Sequence, residues 1–420
     1  MTPRERVQAA LNHTQPDRVP VDFGSTMVTG ISVSVVSRVR KALGLDGPRG
    51  RVKVIEPYQM LGEITEDLRD RLHIDCVGLF GTKNMFGFEN RDWKEWTTFD
   101  GTDVLVPEHF NTKPDEHGNI PMYAGGDTSC QPAAIMPKGG FYFDSTVRQK
   151  PVDDEHLDVG DNLEEFGPYP EEELAWLERE SRRLSTETNR AVVYSMGGTS
   201  FGDIAFVPGP MLKDPKGIRG VEEWYVSTVL RKDYVREVFE RQCEIGMKNL
   251  TLVKEAVGDR IEVIFITGAD FGTQRGPFIS PDAYRDLYQP VHRRVCDWIH
   301  ANTGWKIFIH TCGGIRPLIP DMIASGFDIL NPVQCSADGM EPQGLKEDFG
   351  DRVTFWGGGV DTQQALPFGK PEEVYNQVSE RIRIFNSGGG FVFDAIHNVQ
   401  AGTPVENFMA MIDAIGDSYR

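Results

Sequence analysis

Short apolar segments alternate with amphipathic segments along most of the chain. The apolar segments are rich in β-branched and aromatic residues and have the length of strands. Several of the segments between them show the apolar spacing of helices, and some begin with proline or a capping residue. Strands are predicted at 19–23, 75–80, 191–196, 261–267, 306–311, 328–333, 353–357 and 390–395, and helices at 171–185, 281–301, 315–325, 371–385 and 404–415. A further helix is predicted from the capping box at Thr2 through Leu11.

Strands that alternate with helices over short connections predict a parallel sheet. Eight such units predict an α/β fold that closes into a (β/α)8 TIM barrel, and 420 residues fit a single barrel domain spanning 1–420. An open doubly wound sheet gives a similar pattern and is the alternative.

The segment between the second and third predicted strands has a different sequence pattern from the rest of the chain. Asp100 and Gly101 form a hairpin signal between the apolar stretches 92–99 and 102–107, and further short strand-like pieces follow at 118–123 and 139–144. We therefore expect residues 92–144 to form a small β-rich insertion in the barrel. The acidic segment 153–170 is predicted to be a surface connection.

Composition excludes some classes of partner. The chain has 63 acidic and 44 basic residues and a net charge of −19, which would repel nucleic acid and anionic membrane surfaces. No stretch has the apolar length of a signal peptide core or a membrane span, so a cytoplasmic location is expected. The six cysteines are spread thinly along the chain and favour free thiols over a disulfide framework.

Histidine and cysteine side chains follow several of the predicted strands. His310 and Cys312 are two residues apart at the end of the fifth strand, a spacing that places strand side chains on one face. Cys335 follows the sixth strand and His397 the eighth, so a barrel would bring all four to one rim. Nitrogen and sulfur ligands together are typical of zinc, and three of them suffice if one position is left for a substrate. The alternative is that the histidines lie in turns and the cysteines are small buried hydrophobic residues.

Acidic residues also follow strands in this region. Asp270 and Asp361 stand beside glycines and are candidate catalytic residues that orient a substrate, whereas Asp75, at the start of a strand, is a weaker candidate. Each could instead stabilise a turn. The sequence Gly198-Thr-Ser-Phe-Gly202 matches the nucleophile elbow of serine hydrolases, but the prolines that soon follow it oppose the helix that this motif requires.

Several motifs resemble those of the uroporphyrinogen decarboxylase superfamily. They are Ile279-Ser-Pro-Asp-Ala-Tyr284, His310-Thr-Cys-Gly313, Gly326-Phe-Asp-Ile-Leu-Asn-Pro332, Gly358-Gly-Val-Asp361 and Thr403-Pro-Val-Glu-Asn407. The resemblance covers nearly the whole chain and is strongest from about residue 261 onward. It implies a (β/α)8 barrel, in agreement with the number of predicted strands.

The superfamily contains tetrapyrrole decarboxylases and zinc methyltransferases that act with corrinoid proteins. The arginine-rich segment and the aspartate motif that decarboxylases share are absent here, where Asp22-Phe-Gly-Ser-Thr26 and Phe80-Gly-Thr-Lys-Asn84 stand instead. The chain is similar to the methyltransferase branch in its H-x-C pair, and His397 occupies the position of that branch's third zinc ligand, usually cysteine.

The resemblance implies a zinc enzyme that transfers a methyl group to or from a thiol or similar acceptor. His310, Cys312 and His397 would hold the metal, with Cys335 as a further candidate. The chain has no D-x-H-x-x-G corrinoid signature, so cobalamin would be carried by a partner corrinoid protein. Decarboxylation of a carboxylated substrate such as uroporphyrinogen, and a noncatalytic subunit that binds a corrinoid partner, are the alternatives.

Overall fold

A computed structural model describes residues 1–45, 50–196 and 198–419, which form a mixed α/β structure. Its strands are β1 (Val52–Glu56), β2 (Leu61–Gly62), β3 (Cys76–Leu79), β4 (Lys94–Thr97), β5 (Asp103–Val106), β6 (Ile120–Met122), β7 (Ala134–Met136), β8 (Asp144–Ser145), β9 (Ala191–Ser195), β10 (Val263–Thr267), β11 (Lys306–His310), β12 (Ile329–Asn331), β13 (Thr354–Trp356) and β14 (Phe391–Val392). The α-helices are α1 (Pro3–Leu11), α2 (Val33–Ala42), α3 (Glu66–Arg71), α4 (Glu171–Glu187), α5 (Val221–Leu230), α6 (Lys232–Val257), α7 (Pro281–Ala283), α8 (Gln289–Asn302), α9 (Ile319–Ser325), α10 (Pro342–Phe349), α11 (Ala365–Phe368), α12 (Pro371–Phe385) and α13 (Val405–Asp417).

A parallel sheet of seven strands organises the molecule, in the order β14-β13-β12-β11-β10-β9-β3. The sequences of its strands are mostly continuous apolar segments because both faces of the sheet are covered. Every residue of β10 is buried. The parallel register pairs His310, the last residue of β11, with Asn331, the last residue of β12. The carboxyl ends of these strands therefore lie at one edge, where a site can be assembled.

Helix α1 covers the opposite end of this sheet. Val7, Ala10 and Leu11 pack into a buried cluster with residues from the parallel strands, including Phe265 and Trp356. The predicted capping box is present: the Thr2 hydroxyl accepts the N–H of Glu5, and the Glu5 carboxylate accepts the N–H of Thr2. The start of the chain thus contributes to the core.

The predicted first strand, 19–23, does not form a regular strand. Val21 makes a single parallel bridge to Phe393, because Pro20 has no N–H to extend the ladder. The Phe393 N–H donates to the Pro20 carbonyl and the Asp22 N–H to the Phe393 carbonyl, both at 2.8 Å, while the Asp75 N–H donates to the Val21 carbonyl at 2.7 Å. The segment is therefore hydrogen-bonded on both sides, to the ends of the seven-stranded sheet.

The other predicted strands are all somewhat shorter than expected, and for two of them glycines explain the difference. The prediction 353–357 becomes Thr354–Trp356, and 390–395 becomes Phe391–Val392. Gly357 has φ +108° and Gly390 has φ +69°, backbone conformations that strands do not contain. Similarly, the predicted helix 281–301 is interrupted by a π-helical turn over Tyr284–Tyr288, next to Pro290.

The predicted hairpin around Asp100 and Gly101 is confirmed by the antiparallel pairing of β4 with β5. Strands β6, β7 and β8 form a separate antiparallel sheet, although only Asp144 of the predicted piece 139–144 belongs to a strand. Strand β1, which the sequence pattern did not predict, pairs in parallel with β5. The region before β9 thus contains two small sheets beside the seven-stranded one.

Candidate metal centre and adjoining cavity

Three side chains of types that can bind metals meet at the carboxyl edge of the parallel sheet. His310 ends β11, Cys312 follows in the next turn, and His397 lies in the loop after β14. Their ligand atoms all lie within 4.8 Å of one another. The His310 Nε2 atom is 3.4 Å from the Cys312 Sγ atom, and the two imidazole rings are 5.2 Å apart between centroids. The separations allow a single cation to contact all three.

A buried hydrogen-bond chain orients His310. Its Nδ1 atom lies 2.5 Å from the Asn331 Oδ1 atom, and the Asn331 side-chain NH2 donates to the Trp356 carbonyl at 2.8 Å. Because the Asn331 oxygen can only accept, the proton of the neutral imidazole is on Nδ1. The lone pair on Nε2 is therefore free on the side of Cys312.

The ring of His397 makes a different hydrogen bond from that of His310. The N–H of Asn398 donates to its Nδ1 atom at 2.8 Å, so the proton of the neutral ring is on Nε2. Binding of a cation by this side chain requires that hydrogen bond or that proton to be given up.

Burial controls the protonation of the cluster. It lowers the pKa of His310 to about 4, against a smaller opposing effect of the Asn331 hydrogen bond. Burial, together with the nearby His310, lowers the pKa of His397 to about 3. Burial also raises the pKa of the Cys312 thiol, and the charge of Asp270 raises it further. The histidines are consequently neutral near pH 7, the form in which imidazole binds metals.

The donor set fits zinc. Tetrahedral zinc with Zn–N near 2.05 Å and Zn–S near 2.3 Å separates nitrogen and sulfur ligands by about 3.6 Å. The corresponding distance between His310 Nε2 and Cys312 Sγ is 3.4 Å. Three protein ligands would leave one coordination position for a substrate.

The other residues predicted for the site lie in different environments. The Cys335 Sγ atom lies 3.3 Å from the Val333 carbonyl oxygen, and this side chain is not part of the three-residue group. Burial raises the pKa of Cys335 to about 11. Asp361 accepts the N–H of Gln363 at 2.8 Å, the turn-stabilising arrangement given as its alternative. Metal binding by Cys335 and substrate contact by Asp361 stay predictions.

Asp270 lies beside the cluster, whereas Asp75 does not. The Asp270 Oδ1 atom accepts the N–H of Cys312 at 2.7 Å and lies 3.9 Å from the His310 Nε2 atom. Burial raises the pKa of this carboxyl. Asp75 is buried at the beginning of β3 and forms ion pairs with Arg6 and Arg18, so its role is structural.

A cavity of about 550 Å³ adjoins the cluster, and His310 and His397 form part of its wall. Most of the remaining wall is apolar or aromatic, including Met27, Met196 and Phe265. The volume suits a small-molecule ligand.

Sequence analysis missed two buried acids in the cavity wall, Glu56 and Asp203. Glu56 ends β1, which was not predicted, and no local motif marks it. Asp203 directly follows the Gly198–Gly202 motif, which was the only signal near it. The serine of that motif, Ser200, accepts a hydrogen bond from the Gln242 side-chain amide at 3.0 Å. This pairing differs from the serine–histidine pair of a hydrolase.

Comparison with known proteins shows what part of this chain is similar to. Residues 255–418 match the family model described as uroporphyrinogen decarboxylase (URO-D). A curated relative, the methylated-thiol–coenzyme M methyltransferase of Methanosarcina mazei, is 29% identical over 136 residues, which are 32% of this chain and 33% of that protein. This chain thus aligns with about a third of the relative's length. The solved structure of a methyltransferase from Methanosarcina mazei superposes with a TM-score of 0.55 at 15% identity, covering 100% of both chains. The resemblance predicted from the sequence motifs is confirmed.

Among the helices of the described ranges, none combines the length and apolar character needed to cross a bilayer.

Proposed function

We propose that the protein, whose residues 255–418 match the uroporphyrinogen decarboxylase family model, is a zinc-dependent methyltransferase that acts with a corrinoid protein. It transfers a methyl group to or from a thiol or similar small-molecule acceptor. The observation that carries this proposal is the convergence of His310, Cys312 and His397, two of which, the histidines, also line the adjoining cavity. Methyltransferase relatives in both comparisons support the reaction class.

Zinc supplies Lewis-acid chemistry, lowering the pKa of an acceptor thiol so that a nucleophilic thiolate is present near neutral pH. His310 and His397 would bind the ion as neutral ligands, and Cys312 as a thiolate. Asp270 fixes the turn that carries Cys312 by accepting its backbone N–H. Cobalamin would be held by the partner protein and would approach the rim at the carboxyl edge of the sheet.

The composition of the cavity wall counts against decarboxylation of a substrate with several carboxylates. Such a substrate needs cationic partners, and the described residues that line the cavity include no lysine or arginine. Decarboxylation therefore has less support than methyl transfer.

We also propose that the parallel sheet closes into a (β/α)8 barrel within a single domain of residues 1–420, with 92–144 as a β-rich insertion. The hydrogen bonds of segment 19–23 to Phe393 on one side and to Asp75 on the other support closure. The antiparallel strands β4 to β8 support the insertion. A cytoplasmic location stays a prediction.

Metal analysis of purified protein tests the proposal. We expect about one zinc per chain in the wild type, and large losses in His310→Ala, Cys312→Ser and His397→Ala variants. Cys335→Ser is the matched control and retains zinc if that cysteine is not a ligand. Stoichiometric zinc that survives substitution of all three residues would contradict the assignment.

The reaction can be tested with free methylcobalamin in place of the partner. Transfer forms a carbon–sulfur bond and breaks the cobalt–carbon bond, whose electron pair remains on cobalt. We expect thiol-dependent loss of methylcobalamin absorbance in the wild type and none in Cys312→Ser. Zinc-free wild-type protein that binds a corrinoid protein without this activity would instead favour a noncatalytic subunit.

A further inference from the structure

The charged residues in the cavity wall are all acidic. They are Glu56, Glu164, Glu165 and Asp203, and the described lining residues include no lysine or arginine to balance them. Arg219 lies just outside the wall, 2.8 Å from Glu165 and 3.6 Å from Glu164. Within the described ranges, Glu56 and Asp203 form no ion pair.

Glu56 and Asp203 are buried and held in fixed positions. Their exposed fractions are 9% and 6%. The Glu56 carboxylate accepts the N–H groups of Tyr58 at 3.0 Å and Gln59 at 2.6 Å, and Asp203 accepts the N–H of Ala205 at 2.9 Å. The dipoles of these backbone N–H groups orient the carboxylates but add no positive charge. Burial raises the pKa of Glu56 to about 7, and it raises the pKa of Asp203 as well.

Aromatic and methionine side chains also line the cavity. Tyr58 and Phe206 line the cavity, with Met27, Met85 and Met211. The Tyr58 hydroxyl is 3.2 Å from the Ser145 Oγ atom, which fixes the ring. Aromatic faces attract cations through the ring quadrupole, and methionine adapts to the shape of methyl groups.

A further polar atom is available to a ligand. The Ser195 hydroxyl, also in the cavity wall, has no hydrogen-bond partner among the described residues although it is buried. Buried hydroxyl groups are usually hydrogen-bonded. A ligand in the cavity could supply the missing partner.

We propose that the methylated small molecule bound by this cavity is a cation, a substituted ammonium or sulfonium compound. Its positive charge is balanced by the carboxylates of Glu56 and Asp203, and its methyl groups contact the aromatic and methionine side chains. A cation would favour the ionised form of these two carboxyl groups by supplying a counter-charge, whereas a neutral or anionic ligand would favour their protonated form.

This assignment rests on the proposed function only for the transfer step. The methyl carbon would form its new bond to the reduced corrinoid of the partner protein, which would supply the electron pair as the acceptor in this direction of transfer. The carbon–nitrogen or carbon–sulfur bond of the donor breaks with its electron pair retained by the heteroatom. The donor leaves as a neutral amine or sulfide, which has no charge for Glu56 and Asp203 to hold.

Calorimetry with small-molecule probes of different charge tests the proposal. Choline is the cationic probe, 3,3-dimethylbutan-1-ol is its neutral isostere, and 2-mercaptoethanesulfonate is an anionic probe. We expect choline to bind the purified protein about tenfold more tightly than the neutral isostere. Equal binding of choline and its isostere, or tighter binding of the anion than of choline, would overturn the proposal.

Variants assign the charge preference to the two acids. Glu56→Gln and Asp203→Asn should each remove most of the preference for choline, while thermal unfolding confirms that they are folded. Glu171→Gln, at the exposed start of α4, is the matched control and should keep the preference. A preference that persists in a folded double variant of Glu56 and Asp203 would refute the assignment.

The metal and the cation proposals can fail separately. His310→Ala should lose zinc but still bind choline more tightly than the isostere. Wild-type protein that contains zinc but shows no choline preference would overturn the cation proposal alone. Wild-type protein that prefers choline but contains no zinc would overturn the metal proposal alone.

Discussion

At the scale of single residues, two buried carboxyl groups lie where the segment 19–23 meets β14. Both carboxylate oxygens of Asp394 lack a hydrogen-bond partner in the described part of the chain. Asp22 accepts hydrogen bonds from the Ser25 N–H and hydroxyl groups and from the Trp356 indole. Burial raises the pKa of Asp22 to about 6. Burial and the neighbouring charge of Asp22 raise the pKa of Asp394.

We predict that Asp394→Asn increases stability at alkaline pH. An unfolded aspartate loses its proton near pH 4, whereas the folded protein retains it to higher pH, so wild-type stability falls as pH rises through the raised pKa. Removing the ionisable group removes this loss, by about 1–3 kcal/mol for a buried group without partners. Thermal unfolding at pH 8 and pH 4 should show a gain for the variant at pH 8 and little difference at pH 4.

Asp22→Asn is the informative comparison. The amide keeps only one oxygen to accept the three hydrogen bonds, so this variant should be less stable than the wild type at pH 4. If the stability difference between Asp394→Asn and the wild type were the same at pH 4 and pH 8, the Asp394 carboxyl group would not have the raised pKa on which the prediction depends.

At the scale of elements, the loops after β10 and β11 contact each other through their backbones. Gly313 has φ +91°, and a Cβ atom there would lie 2.3 Å from the carbonyl carbon of Gly272. This close approach places Cys312 where its N–H reaches Asp270. Only glycine provides both the conformation and the space.

We predict that Gly313→Ala destabilises the protein by at least about 2 kcal/mol and reduces its zinc content, because the loops must separate and Cys312 must move. Gly304→Ala is the control, since a Cβ atom there meets no other atom within 4 Å. Denaturant unfolding and metal analysis measure the two effects. A Gly313→Ala variant with wild-type stability would show that the loops adjust freely.

The cluster could be predicted from sequence because each metal-binding residue follows an apolar run that is a recognisable strand. Glu56 could not be predicted, because β1 (Val52–Glu56) alternates buried and half-buried positions and lies between helices α2 and α3, which the sequence pattern did not predict either. Segment 19–23 was predicted as a strand from its apolar residues, yet Pro20 limits it to one bridge. Local patterns thus identified the parallel strands but not the small sheets that provide part of the cavity wall.

At the scale of the whole molecule, the proposed closure of the sheet would depend on segment 19–23. We predict that the backbone amides of Asp22, Asp75 and Phe393 exchange with deuterium as slowly as those of the central strand β11, since each donates to a carbonyl across a sheet edge. The turn at Gly101 should exchange rapidly. Fast exchange at Asp75 and Phe393, measured by NMR or by mass spectrometry of short peptides, would indicate an open sheet.

The cavity wall is drawn from distant parts of the chain, with Met27 near one end and His397 near the other. A bound molecule would therefore tie together regions that the backbone connects only through hundreds of intervening residues. Any transient detachment of the amino-terminal region would have to break those contacts first. Resistance to limited proteolysis in the amino-terminal third of the chain should consequently report occupancy, even though the candidate metal ligands belong to the opposite end.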